Sequence, residues 1–199
     1  EIRSQPARLT SIEKRIGYQY QDRVKVNTLS EAILGRIGAD QVANKVKHLL
    51  SELRVVTYYG CLLTRPPEIT EAQHPENPID LDILMKALGA QVLDWSYKTS
   101  CCGAAHSLTR PETVLQLGSR LLDHARHTGA DAIVVACPLC HANLDALQIQ
   151  MKMEAPLPIF YFTQLMALAL GLPQQAAALQ KNMIDPRPML QQKLKDFAW

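Results

Sequence analysis

The chain has 199 residues, 47% hydrophobic, 20% charged and 6% aromatic, with a formal net charge of +2. That length can bury a core, and the composition is that of a folded globular protein rather than a disordered or collagenous one. A charge this close to neutral leaves no electrostatic footprint for nucleic acid or an anionic membrane.

Residues 4–20 carry a weak helical pattern (Leu9, Ile12, Ile16), and 23–27 form a short alternating run that begins at Arg23. Helices are expected over 28–37 and 40–50, separated by Gly38. Residues 1–50 therefore read as a helical connector or the remnant of a preceding domain, with the main domain over 51–199. From Leu53 a strand–helix rhythm begins. Runs at 54–59, 90–95, 132–136 and 157–161 are short, rich in β-branched and aromatic residues, and bounded by turn residues. Such runs predict strands, and where they lack alternation they predict strands covered on both faces.

Amphipathic helical patterns lie between the runs. Leu81, Leu84, Met85 and Leu88 share one face and stop at Gly89. Thr109-Arg110-Pro111-Glu112 reads as a capping box opening a helix with Val114, Leu117, Leu121 and Ala125, closed by Gly129. A third helix is expected after Cys140, with Leu144, Leu147 and Met151, and a fourth from a Thr163 cap to about 170. Residues 174–182 are helical by composition, and the tail, with Pro186, Pro188 and Trp199, is expected along the surface or against a partner. The alternation predicts an α/β fold with a mostly parallel sheet and flanking helices. The turn-rich stretch 65–78 is long for a βα connection, and loops of that length are often functional.

The most apolar stretch, 157–172, is broken by Pro158, Thr163, Gln164 and Gly171 and is too short to cross a bilayer, so no membrane span is expected. No secretory-signal pattern opens the sequence, which points to a cytoplasmic compartment and to cysteines used as thiols or metal ligands rather than as a disulfide framework. There is no P-loop, dinucleotide-binding glycine motif or serine nucleophile elbow.

The five cysteines fall into three groups: Cys61, the pair Cys101–Cys102, and Cys137-Pro138-Leu139-Cys140. Each group directly follows a predicted strand. In a parallel sheet the carboxyl ends share one edge, where open α/β folds place their ligands, so the spacing predicts thiols from three loops meeting on one rim. Thiolate sulfur suits soft or borderline metals. Spacing alone leaves an iron–sulfur centre, zinc and redox thiols open. The adjacent pair and the total of five favour more than one metal ion.

The residues then support a more specific likeness. Tyr58-Tyr59-Gly60-Cys61-Leu62-Leu63-Thr64-Arg65-Pro66, Cys101-Cys102-Gly103-Ala104, Ala136-Cys137-Pro138-Leu139-Cys140-His141 and Pro158-Ile159-Phe160-Tyr161-Phe162-Thr163-Gln164-Leu165 resemble the CCG cysteine-rich domain of the heterodisulfide reductase B subunit and its bacterial relatives. The resemblance covers about residues 50–175 in the family's order. It implies a noncubane [4Fe-4S] cluster held by Cys61, Cys101, Cys102, Cys137 and Cys140, with zinc as the alternative metal. Gly60 and Gly103 would let backbone approach the cluster, and Pro138 would hold the loop between the last two ligands. It further implies an oxidoreductase component that passes electrons to or from a disulfide or thiol substrate. The implied partners are the ferredoxin-like C subunit and the flavoprotein A subunit of such a complex. Family members carry two such domains, whereas this chain has one five-cysteine set and resembles their carboxyl-terminal half. Other readings are a structural zinc or assembly module, and a CCG electron-transfer subunit of a lactate-, glycerol-phosphate- or quinone-linked dehydrogenase.

Several further side chains flank the cysteines. His141 follows the last ligand and is a candidate proton donor, set against a solvent-facing residue at a helix start. His106 could line the same pocket. His124 and His127 are three apart on one helix but lack a third donor, which favours surface histidines. Arg65, Lys98 and Arg110 could offset cluster charge or hold an anionic substrate, although solvated cations are the default. Tyr58 and Tyr59 read as strand packing before electron relays.

Overall fold

The computed structural model describes residues 5–195. In chain order the elements are α1 (Pro6–Ile16), α2 (Leu29–Arg36), α3 (Ala39–Ala43), β1 (Arg54–Tyr58), α4 (Pro67–Thr70), α5 (Asp80–Ala87), β2 (Gln91–Val92), α6 (Pro111–His127), β3 (Ala132–Val135), α7 (Pro138–Gln150), β4 (Ile159–Tyr161), α8 (Phe162–Ala169), α9 (Gln174–Ala177) and α10 (Arg187–Lys193). Single 3-10 turns lie at Ala104–His106 and Leu179–Lys181. The strands form one sheet in the order β2-β1-β3-β4, every pair parallel. This is the predicted α/β architecture.

Period-two side-chain geometry explains the layering. Val55, Ala132, Val134 and Phe160 point to one face, where they meet Leu81, Leu84 and Met85 of α5 and Leu165 and Leu168 of α8. Val56, Ile133, Val135 and Ile159 point to the other and meet Leu121, Leu122 and Ala125 of α6 and Leu144 of α7. Both faces are apolar because both are covered, which is why the strand sequences do not alternate.

The front of the chain departs from expectation in one helix. The alternating run at 23–27 forms no strand, and Val24 and Val26 remain exposed. Alternation marks a strand only where a neighbour pairs with it, and none does here. The helix expected over 40–50 ends at Ala43. Beyond it the amides of Lys47 and His48 donate to the Ala169 carbonyl at 2.8 and 3.0 Å, so the chain leaves the helix to cap the end of α8. The helix expected over 28–37 is present as α2, closed by a capping box in which Thr28 and Glu31 satisfy each other's amides.

Three other boundaries differ. Thr109 does not cap α6; Arg110 occupies that position without a side-chain cap bond. Thr163 lies inside α8, and Gln164 closes the start of the helix by accepting from the Tyr161 amide at 2.9 Å. The expected helix over 174–182 is interrupted at Ala178, whose φ is +50°. The tail is not a surface strap as far as it is described. Leu190 and Leu194 enter the core, and Lys193 Nζ lies 3.0 Å from Asp131 Oδ1, which also pairs with Arg54. Burial pushes the Asp131 carboxyl up, but hydrogen bonds from Arg54 and Lys193 outweigh it and hold the group below its ordinary value. Trp199 lies outside the described residues. Among those residues no helix is long and apolar enough to cross a membrane.

Candidate metal centre

The site forms where the strand order reverses. The chain leaves β1 for α5 on one face and leaves β3 for α7 on the other, so the connections from these adjacent strands diverge and open a crevice at their carboxyl ends. Tyr58 and Val135 are the last paired residues of β1 and β3. Cys61 follows three residues after the first and Cys137 two after the second. The third group arrives from β2, which is only two residues long. Its continuation is fastened to the end of β1: the Tyr59 amide donates to the Lys98 carbonyl at 2.8 Å and the Tyr58 hydroxyl donates to the Ser100 carbonyl at 2.5 Å. Cys101 and Cys102 come next.

The five sulfurs fall into a contacting pair and a contacting trio. Cys61 Sγ lies 4.0 Å from Cys101 Sγ, and Cys102 Sγ lies 3.5 Å from Cys140 Sγ. Cys140 also hydrogen-bonds Cys137. Cys102 and Cys140 are buried, Cys61 and Cys137 half-buried, and Cys101 is exposed. Residues from three loops therefore converge as the spacing predicts. Among the described residues no three His, Cys, Asp or Glu side chains are arranged to hold a single metal ion.

Two glycines do different work. Gly60 has φ +70°, and a Cβ there would lie 2.8 Å from Cys140 Sγ, so the missing side chain is what leaves that sulfur room. Gly103 has φ +81°, but its missing Cβ faces Val114 and Leu117 of α6 rather than the sulfurs. What Gly103 offers the site is its amide, which donates to Cys101 Sγ at 3.3 Å. Pro138 holds no loop: it is the first residue of α7, with Cys137 at the cap and Cys140 within the first turn. The amino end of a thirteen-residue helix thus faces Cys137, and its backbone amides stabilise a thiolate there.

These contacts divide the thiols. Hydrogen bonding with Cys140 holds Cys102 and Cys137 down to about 6, each against the opposing effect of burial. The same contacts with Cys102 and Cys137, and then burial, push Cys140 well up, and burial pushes Cys61 up. In reduced, metal-free protein, carbamidomethylation of half-buried Cys137 should accordingly show a midpoint near pH 6, read by mass spectrometry across a pH series. A midpoint near the ordinary thiol value of 9.0 would mean the Cys140 hydrogen bond is not made. Because the folded value is depressed, the stability it contributes is complete above the unfolded value and is lost as pH falls through about 6.

The flanking candidates separate cleanly. Lys98 is not a cation of the site: it is buried, with Nζ 2.8 Å from Asp82 Oδ1, 3.0 Å from Asn77 Oδ1 and 3.4 Å from the Pro78 carbonyl. Asp82 also accepts from Thr57 Oγ1 at 2.9 Å and from the Tyr59 hydroxyl at 3.3 Å. Arg65 pairs with Glu76 on the surface, and Arg110 and His106 are exposed. His124 stacks on Tyr97 with centroids 4.2 Å apart, and His127 Nδ1 lies 2.7 Å from its own helix's Asp123 carbonyl, so the two do not act together. His141 Nε2 lies 2.9 Å from the Ile159 carbonyl and 3.3 Å from Asn182 Nδ2, which ties the ring to β4.

Asn143 joins the site although no sequence motif marks it. Its Nδ2 donates to the Cys102 carbonyl at 2.9 Å, and its side chain also hydrogen-bonds the Cys102 thiol. The available signal is its position three residues after Cys140, one turn along the same helix.

The CCG cysteine-rich domain family model matches residues 55–145, which contain all five cysteines. The chain is also 29% identical over 196 residues to the B subunit of the ferredoxin/F(420)H(2)-dependent CoB-CoM heterodisulfide reductase of Methanosarcina acetivorans, covering 93% of this chain and 64% of that one. The chain belongs to the CCG family, alongside the B subunits of heterodisulfide reductases. Another CCG relative, 31% identical over 170 residues, is the 8-methylmenaquinol:fumarate reductase membrane anchor subunit of Wolinella succinogenes, with 83% of this chain and 59% of that one covered. A crystal structure of a hypothetical protein from Helicobacter pylori superposes with a TM-score of 0.68 over 92% of this chain and 34% of that one. At 11% identity that likeness concerns the fold alone. The chain spans about three-fifths of the length of these curated relatives.

Proposed function

We propose that this CCG chain is an iron–sulfur redox subunit of a heterodisulfide-reductase-like complex, which exchanges electrons with a disulfide or thiol substrate. The observation that carries the reading is the gathering of five thiols from three loops at the crevice between β1 and β3. Cys101 is the exposed member of the group. Cys61, Cys101, Cys102, Cys137 and Cys140 would hold a noncubane [4Fe-4S] cluster. The donor set fits: all five ligands would be sulfur, Cys102 and Cys137 are held down to about 6 and so are ready as thiolates, and the missing Cβ of Gly60 leaves room beside the buried Cys140 sulfur. When bound, such a cluster supplies one-electron transfer and a soft site for substrate sulfur.

The chain's own residues would shape that chemistry. The Gly103 amide and the amino end of α7 offset negative charge on the sulfurs. Asn143 fixes the backbone of Cys102. His141 would act through Nδ1 as proton donor to a leaving thiolate, while Nε2 keeps the ring seated against β4. The names of the relatives describe subunits of larger assemblies, and the partners this reading implies are a ferredoxin-like C subunit and a flavoprotein A subunit.

The test is anaerobic iron, zinc and acid-labile sulfide analysis of the purified chain, with an EPR spectrum of the oxidised sample. About four irons and four sulfides per chain are expected. One zinc with no sulfide would make the cysteines a structural clasp instead. The fumarate reductase relative favours a second reading, a quinol-linked electron-transfer role at the same cluster. Reduction of the iron–sulfur protein by a menaquinol analogue, but not by a dithiol, would select it.

A further inference from the structure

A cavity of about 530 Å³ lies on the other side of the Cys61 turn, between residues 25–34, the stretch 70–80 and the start of α5. Its volume lies within the range of small-molecule sites. Thr64, three residues beyond Cys61, lines it. Thr64 is only 2% exposed, and its hydroxyl has no hydrogen-bond partner. A buried hydroxyl without a partner costs about 1–3 kcal/mol, so its place in a cavity wall points to something that satisfies it.

The charge around the cavity indicates the kind of molecule. Glu31 and Asp80 line it and repel each other, and neither has an ion-pair partner among the described residues. One oxygen of Glu31 accepts from the Thr28 amide, which leaves the other for a ligand. Burial, then the Glu31 charge and then that of Asp82 push the Asp80 carboxyl up, the mark of carboxylates crowded together in a partly buried wall. Glu71 adds a third acid, against Lys25 and His74.

We infer that this cavity binds a small organic cation, an alkylammonium or guanidinium compound, whose charge sits between Glu31 and Asp80 and which hydrogen-bonds the Thr64 hydroxyl. A multi-donor cation suits the site better than a metal ion, since no group of ligands among the described residues is arranged for one. The site is separate from the cysteine crevice and does not depend on what that crevice holds.

Agmatine is a suitable probe, titrated calorimetrically into the purified chain, with succinate as the opposite-charge control. Saturable agmatine binding is expected, without succinate binding. Asp80→Asn and Thr64→Val should each weaken it by about tenfold, a loss of about 1.4 kcal/mol. Thr64→Val tests the site independently, because it removes a partnerless hydroxyl at constant shape. The thermal midpoint of the free protein should then hold or rise, while agmatine binding falls. The inference is overturned by the absence of saturable binding up to about 10 mM agmatine. Parent-like agmatine affinity in either variant, or a free Thr64→Val protein that is clearly destabilised, would overturn it too.

Discussion

Replacing Lys98 by Met should destabilise the protein by about 3–5 kcal/mol, the cost of leaving one member of a buried ion pair alone. Its partner Asp82 would keep its bonds from Thr57 and Tyr59 but lose the ammonium 2.8 Å away, in a setting where the two side chains are 6% and 12% exposed. Against a typical total of about 5–15 kcal/mol, that is a loss large enough to read directly from the urea midpoint. The double variant Asp82→Leu/Lys98→Met should recover much of it, because no charge is then stranded. The pair also fastens the segment before Cys101 to α5, so Lys98→Met should loosen the position of Cys101 and Cys102 as well as the fold. A single Lys98→Met variant within about 1 kcal/mol of the parent would show that the pair is solvated and that something else holds this segment.

Gly60→Ala should damage the metal centre more than the fold. A residue with a side chain at φ +70° costs about 1–3 kcal/mol in backbone strain alone. Its Cβ would also press on Cys140 Sγ, which packing holds in the first turn of α7 and which hydrogen-bonds Cys102 and Cys137. Moving Cys140 therefore disturbs three sulfurs. The chain reconstituted with iron and sulfide under anaerobic conditions should lose cluster affinity by about tenfold or more. Gly38→Ala is the matched control: its φ is +86°, yet a Cβ there meets nothing within 4 Å. It should carry the backbone strain without the loss of iron. Equal iron content in both variants would show that Gly60 is needed only for its turn.

Much of this was legible in the sequence, for reasons that differ between elements. Strands β1, β3 and β4 lie where the β-branched and aromatic runs are, because a parallel sheet buried on both faces leaves runs with little else in them, whereas the run at 90–95 gives only the two-residue β2, whose Gln91 is exposed. The three cysteine groups converge because each follows a strand and all strands point one way. Individual roles were harder. Asp82 sits in the first turn of a helix, where a carboxylate usually needs no explanation beyond the dipole, and Lys98 lies in a polar turn. Only tertiary packing brings them together. The start of α7 was placed too late because Cys-Pro-Leu-Cys reads as a ligand loop, although proline also marks a first helical turn. The run at 23–27 shows the converse, a strand pattern with no strand beside it.

The sheet order sets when the cysteine site can come into being. The sulfurs that touch are forty residues apart for Cys61 and Cys101 and thirty-eight apart for Cys102 and Cys140. No short segment emerging from the ribosome holds the five thiols together, since β1 must first receive β2 on one side and β3 on the other. Contacts of this separation form late in folding. On the proposed iron–sulfur reading, assembly machinery delivering iron and sulfide would therefore meet a nearly finished domain, and any chain stalled before β3 docks would expose unprotected thiols to oxidation. Metal content in a cell extract would then measure how many chains completed that docking.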